Sequence, residues 1–199
     1  YYGFQKVSLL DGGFASWKKA DKKIERGRQN PTPQEKSALN SINLNLDVIA
    51  DKSMINKYFL SNNFMIIDNR TQKEFDGATP SGSPKGGHIP NAIHIHWSEF
   101  FQADGTLKKL PALNSLLSQN AIRPNKEIIV YCTGGVRSGM AYFVFRYLGY
   151  KVRNYDGSWW DWSRSPFPVE IGQKRSKTNQ KTLTGDKKLP LRSGVEHSG

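Results

Sequence analysis

Residues 128–149 read IIVYCTGGVRSGMAYFVFRYLG, and the fold follows from this stretch. Ile128 to Tyr131 is a short, fully apolar run of the buried-strand type, ending at Cys132. A glycine-rich turn follows, and a helix is predicted from near Ser138. In that helix Met140, Phe143, Val144, Tyr147 and Leu148 fall at i, i+3, i+4, i+7 and i+8, with Gly149 as the stop. In open parallel sheets ligands bind beyond the carboxyl ends of strands, which is where Cys132 stands. Gly134 and Gly135 let the TGGVRS loop curl its N–H groups inward. The helix adds its positive N-terminal end, and Arg137 adds a permanent cation. All three favour a thiolate and argue against an inert buried cysteine.

Outward from this core, strands and helices alternate. FMIID (64–68) is an apolar run ending in an acid, preceded by a helix around Met54 to Leu60. AIHIHW (92–97) reads as a strand introduced by Gly86, Gly87 and Pro90. Leu110 to Leu117 forms a helix, and a last strand lies at about 151–155. Alternation of this kind specifies an α/β domain with a mainly parallel central sheet flanked by helices.

Residues 3–17 (GFQKVSLLDGGFASW) and 149–162 (GYKVRNYDGSWWDW) resemble each other. Gly3 pairs with Gly149, Val7 with Val152, Asp11 with Asp156, Gly12 with Gly157 and Trp17 with Trp162. Each is a short strand, Asp-Gly and an aromatic helical turn, the mark of tandem copies of one domain. Residues 1–20 are therefore expected to be the last strand and helix of an upstream domain whose body is absent. The first residue is Tyr1, not Met, consistent with a clipped start. Residues 21–41, charged and carrying Pro31 and Pro33, read as a linker, and 42–171 as the complete domain. Exposed Leu9, Leu10, Phe14 and Trp17 would seek a partner surface.

The 199 residues carry 29 Lys and Arg against 17 Asp and Glu, a formal net charge of +12. Much of it lies in two polar stretches. Residues 172–194 hold seven bases against Asp186 alone, and 18–28 hold six against two acids. Neither interleaves aromatics with its bases, so no dedicated nucleic-acid platform is expected, and 172–199 reads as a basic, disordered tail. One cysteine excludes an internal disulfide and a multi-cysteine zinc cage. No apolar run reaches the ~18 residues that suggest a membrane span. His94 and His96 share a strand face but have no carboxylate partner nearby, so no metal is expected. His88 reads as turn-stabilising, and Trp159, Trp160 and Trp162 as core and cleft-rim packing.

IIDNRTQKEFDG (66–77), KGGHIPNAIHIHWSEF (85–100), ADGTLK (103–108), VYCTGGVRSG (130–139) and YLGYKVRNYDGSWWDW (147–162) together resemble the rhodanese superfamily. The layout is similar to the tandem-domain thiosulfate and 3-mercaptopyruvate sulfurtransferases. LLDGGFASWK (9–18) resembles the end of their non-catalytic first domain, the expected intramolecular partner. The resemblance implies sulfur transfer through a Cys132 persulfide, from thiosulfate or 3-mercaptopyruvate to cyanide or a thiol, without a cofactor. It implies that Thr133, Gly134, Gly135, Val136, Arg137 and Ser138 form the binding loop, with Arg137 drawing the anionic donor. Asp68 would brace that loop by accepting hydrogen bonds, and Arg70 with Glu74 would form a supporting ion pair. A cytoplasmic setting is expected.

The loop departs from both types. Thiosulfate enzymes resemble Cys-Arg-Lys-Gly-Val-Thr and mercaptopyruvate enzymes Cys-Gly-Ser-Gly-Val-Thr. Here it is Cys-Thr-Gly-Gly-Val-Arg, so donor preference stays open. The pattern also resembles bacterial tRNA uridine hydroxylases, which lack a preceding copy like that at 9–18. Dual-specificity phosphatases of this fold use Cys-x5-Arg, one residue longer, and a shorter loop is tight for phosphate. A persulfide carrier or interaction module without turnover is the remaining alternative, because the expected first domain would supply one wall of the cleft.

Overall fold

The computed structural model describes residue 2 and residues 7–28, 44–59, 61, 63–80 and 82–172. The residues expected as most of the linker (29–41) and the tail (173–199), together with Gly3 of the repeat and the domain start at Ile42, lie outside these. The elements run α1 (Gly13–Lys19), β1 (Ile49–Ala50), α2 (Lys52–Tyr58), β2 (Phe64–Asp68), α3 (Gln72–Phe75), β3 (Ile93–His94), α4 (Leu110–Gln119), β4 (Glu127–Tyr131), α5 (Val136–Tyr147), β5 (Val152–Tyr155) and α6 (Ser158–Trp162). Among the described residues no helix is long and apolar enough to cross a membrane.

The five strands form one all-parallel sheet in the order β1-β5-β4-β2-β3. The expected α/β architecture is therefore present. Alternation along β4 divides the core: Ile128 and Val130 join Leu113, Val144 and Phe145 on one face, while Ile129 and Tyr131 join Ile55, Trp159 and Trp162 on the other. Both faces are covered, which is why β4 reads as a continuous apolar run. Of the three tryptophans expected to pack, Trp159 and Trp162 are fully buried, whereas Trp160 is 45% exposed.

Three expectations need correction. The strand read over 92–97 pairs only at Ile93–His94. Beyond it, His96 and Glu99 close a capping box and turn Trp97–Phe100 into a 3-10 helix. Of the stripe read along α5 only Val144 is fully buried, with Phe143 and Leu148 partly buried against the same cluster; Ser138, Ala141 and Phe145 complete the buried face, and the small Ser138 and Ala141 let the helix lie close to the sheet. Met140 and Tyr147 of that stripe are exposed. Residues 7–10 form no strand with any other of the described residues.

α1 buries none of its residues. Its turn touches the domain where the Leu107 amide donates to Asp11 Oδ1 at 2.8 Å. Leu9, Leu10, Phe14 and Trp17 instead face Met140 and Phe143 across an apolar groove of about 1000 Å³. No residue of the 132–138 loop lines it.

Candidate active site

Neighbouring strand ends place the site. β2 and β4 lie in register, Asp68 opposite Tyr131, and the Asn69 amide donates to the Tyr131 carbonyl at 2.9 Å. Cys132 is the next residue, at the middle of the sheet edge. The turn Thr133–Gly135 is tight for two different reasons. Gly135 holds φ at +89°, and an added Cβ would meet the Asp156 carbonyl oxygen at 2.9 Å. Gly134 has no such backbone demand, but its Cβ would sit 2.4 Å from the Trp160 ring. With Gly135 as its cap, α5 starts at Val136, two residues earlier than the pattern suggested, and aims its N-terminal N–H groups back at the cysteine.

Cys132 is 2% exposed, on the floor of this loop. Burial is the largest single influence on its thiol and pushes the pKa up. The Ser138 amide and hydroxyl, the Gly134 amide and the Arg137 charge pull the other way, and the balance falls below the ordinary thiol value. Ser138 Oγ also donates to the Gly135 carbonyl at 3.0 Å. The Ser158 hydroxyl lies 4.0 Å from the Cys132 sulfur on the other side. Val136 contributes backbone only, its side chain being 83% exposed.

α6 pins the loop from the other side. The Cys132 amide donates to Ser158 Oγ at 3.1 Å, and that hydroxyl donates to the Tyr155 carbonyl at 2.7 Å. The amides of Trp159 and Trp160 donate to the carbonyls of Cys132 and Thr133, each at 3.0 Å. Ser158 is fully buried and adopts φ +50°, a left-handed conformation for a non-glycine residue. Sequence reasoning missed Ser158. The Asp-Gly-Ser turn was visible, but its contact lies 26 residues from the cysteine.

The carboxylate that braces the loop is Glu74, not Asp68. Glu74 Oε1 accepts from Thr133 Oγ1 at 2.7 Å and Arg137 Nη2 at 2.9 Å, and Oε2 accepts from Arg137 Nη1 at 2.9 Å. Arg137 Nη2 also donates to Thr133 Oγ1. Glu74 is the N3 residue of a capping box with Thr71, so α3 and the loop share one carboxylate. Burial pushes Glu74 up, but hydrogen bonds from Arg137, Thr133 and Thr71 outweigh it and hold the carboxyl well below the usual range.

The Arg70–Glu74 pair expected from the sequence is not formed. Arg70 pairs with Asp68 at 2.6 Å, both side chains fully buried. The i, i+4 spacing misleads because Arg70 precedes the cap Thr71, so it is not on the helix. Asp68 Oδ2 also accepts from Tyr131 Oη at 2.6 Å, and Arg70 Nη2 donates to the Gly87 carbonyl at 2.7 Å. The guanidinium stacks 4.4 Å over the Trp159 ring. Asp68 and Arg70 thus anchor Tyr131, the residue before the cysteine, rather than the loop amides.

The histidines have separate tasks. His88 is buried, stacked on Phe75 at 3.7 Å, with Nδ1 within 2.8 Å of the Phe75 carbonyl oxygen. His94 Nε2 lies 2.7 Å from the Arg70 carbonyl oxygen. His96 faces Arg137, and its pKa is lowered first by burial and then by the His94 and Arg137 charges. Among the described residues no group of three or more His, Cys, Asp and Glu could hold a metal ion.

Known proteins are similar to this chain in sequence and fold. Residues 52–165 match the family of rhodanese-like domains. A thiosulfate sulfurtransferase of Corynebacterium glutamicum is 31% identical over 187 residues, covering 86% of this chain and 60% of that protein. The chain spans 60–64% of the length of such curated relatives. The crystal structure of YnjE is 28% identical with a TM-score of 0.77, covering 87% of this chain and 44% of that one. A variant of EanB in complex with ergothioneine, covalently linked with a persulfide cysteine, is 25% identical with a TM-score of 0.76, covering 87% and 43%.

Proposed function

The chain belongs to the rhodanese-like domain family, and from that premise we propose that it transfers sulfane sulfur, with Cys132 as the carrier. The Cys132 thiolate attacks the outer sulfur of thiosulfate. The S–S bond of the donor breaks, sulfite leaves with the electron pair, and Cys132 is left as a persulfide anion. Cyanide, or a thiolate acceptor, then takes the outer sulfur and returns the Cys132 thiolate. Two easy displacements replace one difficult one. The carrying observation is the place of the thiol, at the carboxyl end of β4 and enclosed by the tight Gly134–Gly135 turn that starts α5; burial pushes its pKa up there, and Ser138, the Gly134 amide and the Arg137 charge outweigh it. The same amides suit a charged terminal sulfur. Thiosulfate is favoured as donor by the names of the relatives, and 3-mercaptopyruvate is the competing donor. A cytoplasmic setting, where a lone thiol stays reduced, suits this chemistry.

The test is mass measurement after incubation with thiosulfate in the absence of reductant. A gain of one sulfur atom, lost in Cys132→Ser, is expected. An unmodified wild-type protein defeats the proposal.

A second reading has support of its own. Asp11-Gly12 before α1 parallels Asp156-Gly157 before α6, and the α1 side chains are left unburied along an apolar groove. This supports residues 1–20 as the closing piece of another rhodanese-like unit, with residues 42–171 as the sulfur-carrying domain. Without that unit the chain would accept sulfur once and release it slowly, as a carrier. Steady-state thiocyanate production separates enzyme from carrier: sustained turnover supports the first reading, a single stoichiometric burst the second.

A further inference from the structure

Five hydrogen bonds converge on the Glu74 carboxylate, from the amide and hydroxyl of Thr71, the Thr133 hydroxyl and both terminal nitrogens of Arg137. The Arg137 fork therefore grips a carboxylate of the protein itself, while the same guanidinium also reaches Thr133 and the Cys132 sulfur. Its charge acts on Cys132, but the nearest countercharge is already within 2.9 Å. We propose that Glu74 is a positioning residue that holds and neutralises Arg137, weakening the positive field over Cys132 and setting how strongly the site draws an anionic sulfur donor. The donor part rests on the sulfur-transfer reading; the effect on the thiol does not.

The surrounding charges leave this pair in control. Arg70 also faces Glu74, but its own charge is matched by Asp68 at 2.6 Å. His96 faces Arg137, Glu74, His94 and Glu99. Removing the Glu74 charge leaves Arg137 as the unmatched group nearest the sulfur. Opposite charges a few ångströms apart favour the ionised form, so the thiolate gains. A mere brace behaves in the opposite sense. If Glu74 only holds the loop closed, its loss lets the amides swing away and the thiol becomes harder to ionise.

The experiment measures iodoacetamide alkylation against pH, which reports one site because Cys132 is the sole cysteine. In Glu74→Gln the midpoint is expected to fall by roughly half to one pH unit. With thiosulfate, KM is expected to drop by about 3- to 10-fold with steeper ionic-strength dependence, and kcat to change little. In an Arg137→Gln background the same Glu74→Gln change should move the midpoint less. A midpoint that rises or stays put in folded Glu74→Gln, or an equal shift in both backgrounds, overturns the proposal. Circular dichroism checks folding. If Glu74→Gln does not fold, Glu74→Asp decides, because it keeps the charge but shortens the reach. A midpoint near wild type supports the charge role, and a rise assigns Glu74 to bracing. Should thiosulfate load no variant, the alkylation midpoints still decide the role of Glu74.

Discussion

Asp68 and Arg70, two residues apart, form an ion pair at 2.6 Å with neither side chain exposed. The backbone turns between them, with the Arg70 amide donating to Asp68 Oδ1 at 2.9 Å, so one carboxylate organises both main chain and guanidinium. Burial opposes the Arg70 charge, and Asp68 more than offsets it.

Breaking that pair from one side should be costly. Asp68→Asn leaves a buried guanidinium without its countercharge, which costs about 3–5 kcal/mol. The urea unfolding midpoint should fall sharply with an unchanged slope. Asp68→Asn also strips Tyr131 Oη of a charged acceptor, so Tyr131→Phe should cost less in the mutant background than in wild type, the loss that remains being that of the acceptor for the buried Ile89 amide.

Ser158 tests the opposite side of the site. Ser158→Ala orphans the Cys132 amide, a buried donor, and should cost about 1–3 kcal/mol. Ser158→Gly loses the same bond but relieves the φ +50° strain, so it should destabilise less than Ala. If Gly and Ala are equally damaging in urea titrations, the strain is not real and the bond alone matters.

Strands and loop were legible in the sequence because their signals are local. FMIID and IIVY are short apolar runs of the kind that a doubly covered strand carries, and the glycines of Cys-Thr-Gly-Gly suit a turn. The misreadings come from contacts between segments. Arg70 and Glu74 have helical spacing, yet the helix begins after Arg70, so their side chains go separate ways. Thr71-Gln-Lys-Glu74 is a readable capping box, but nothing local says that the same carboxylate reaches Thr133, 59 residues on. The α5 stripe has correct periodicity, and only the sheet decides that Ser138 and Ala141 face inward while Met140 faces the groove.

The thiol should leave a signature in stability against pH. Cys132 has a folded pKa below its unfolded value, so the folded state holds fewer protons between the two. The stabilisation is complete above the unfolded value of about 8.5 and is lost as pH falls through the folded one. Wild type should therefore gain stability relative to Cys132→Ser as pH rises across that interval, then run parallel above it. Denaturant titrations at several pH values check this, and a difference independent of pH would show that the cradle does not favour the thiolate.

The two glycines of the loop should respond differently to the same methyl group. Gly134→Ala needs no unusual backbone angle, but its Cβ collides with Trp160 at 2.4 Å. Overpacking of this kind costs about 1–3 kcal/mol. Trp160 is 45% exposed, so Trp160→Ala should itself be mild and should rescue Gly134→Ala almost fully. Gly135→Ala meets both φ +89° and the Asp156 main chain, which no side-chain deletion can move. It should therefore stay destabilised in the Trp160→Ala background. Unfolding free energies of the three single and two double variants decide the matter: rescue of Gly135→Ala, or failure to rescue Gly134→Ala, would mean that the indole is not what makes the first position glycine.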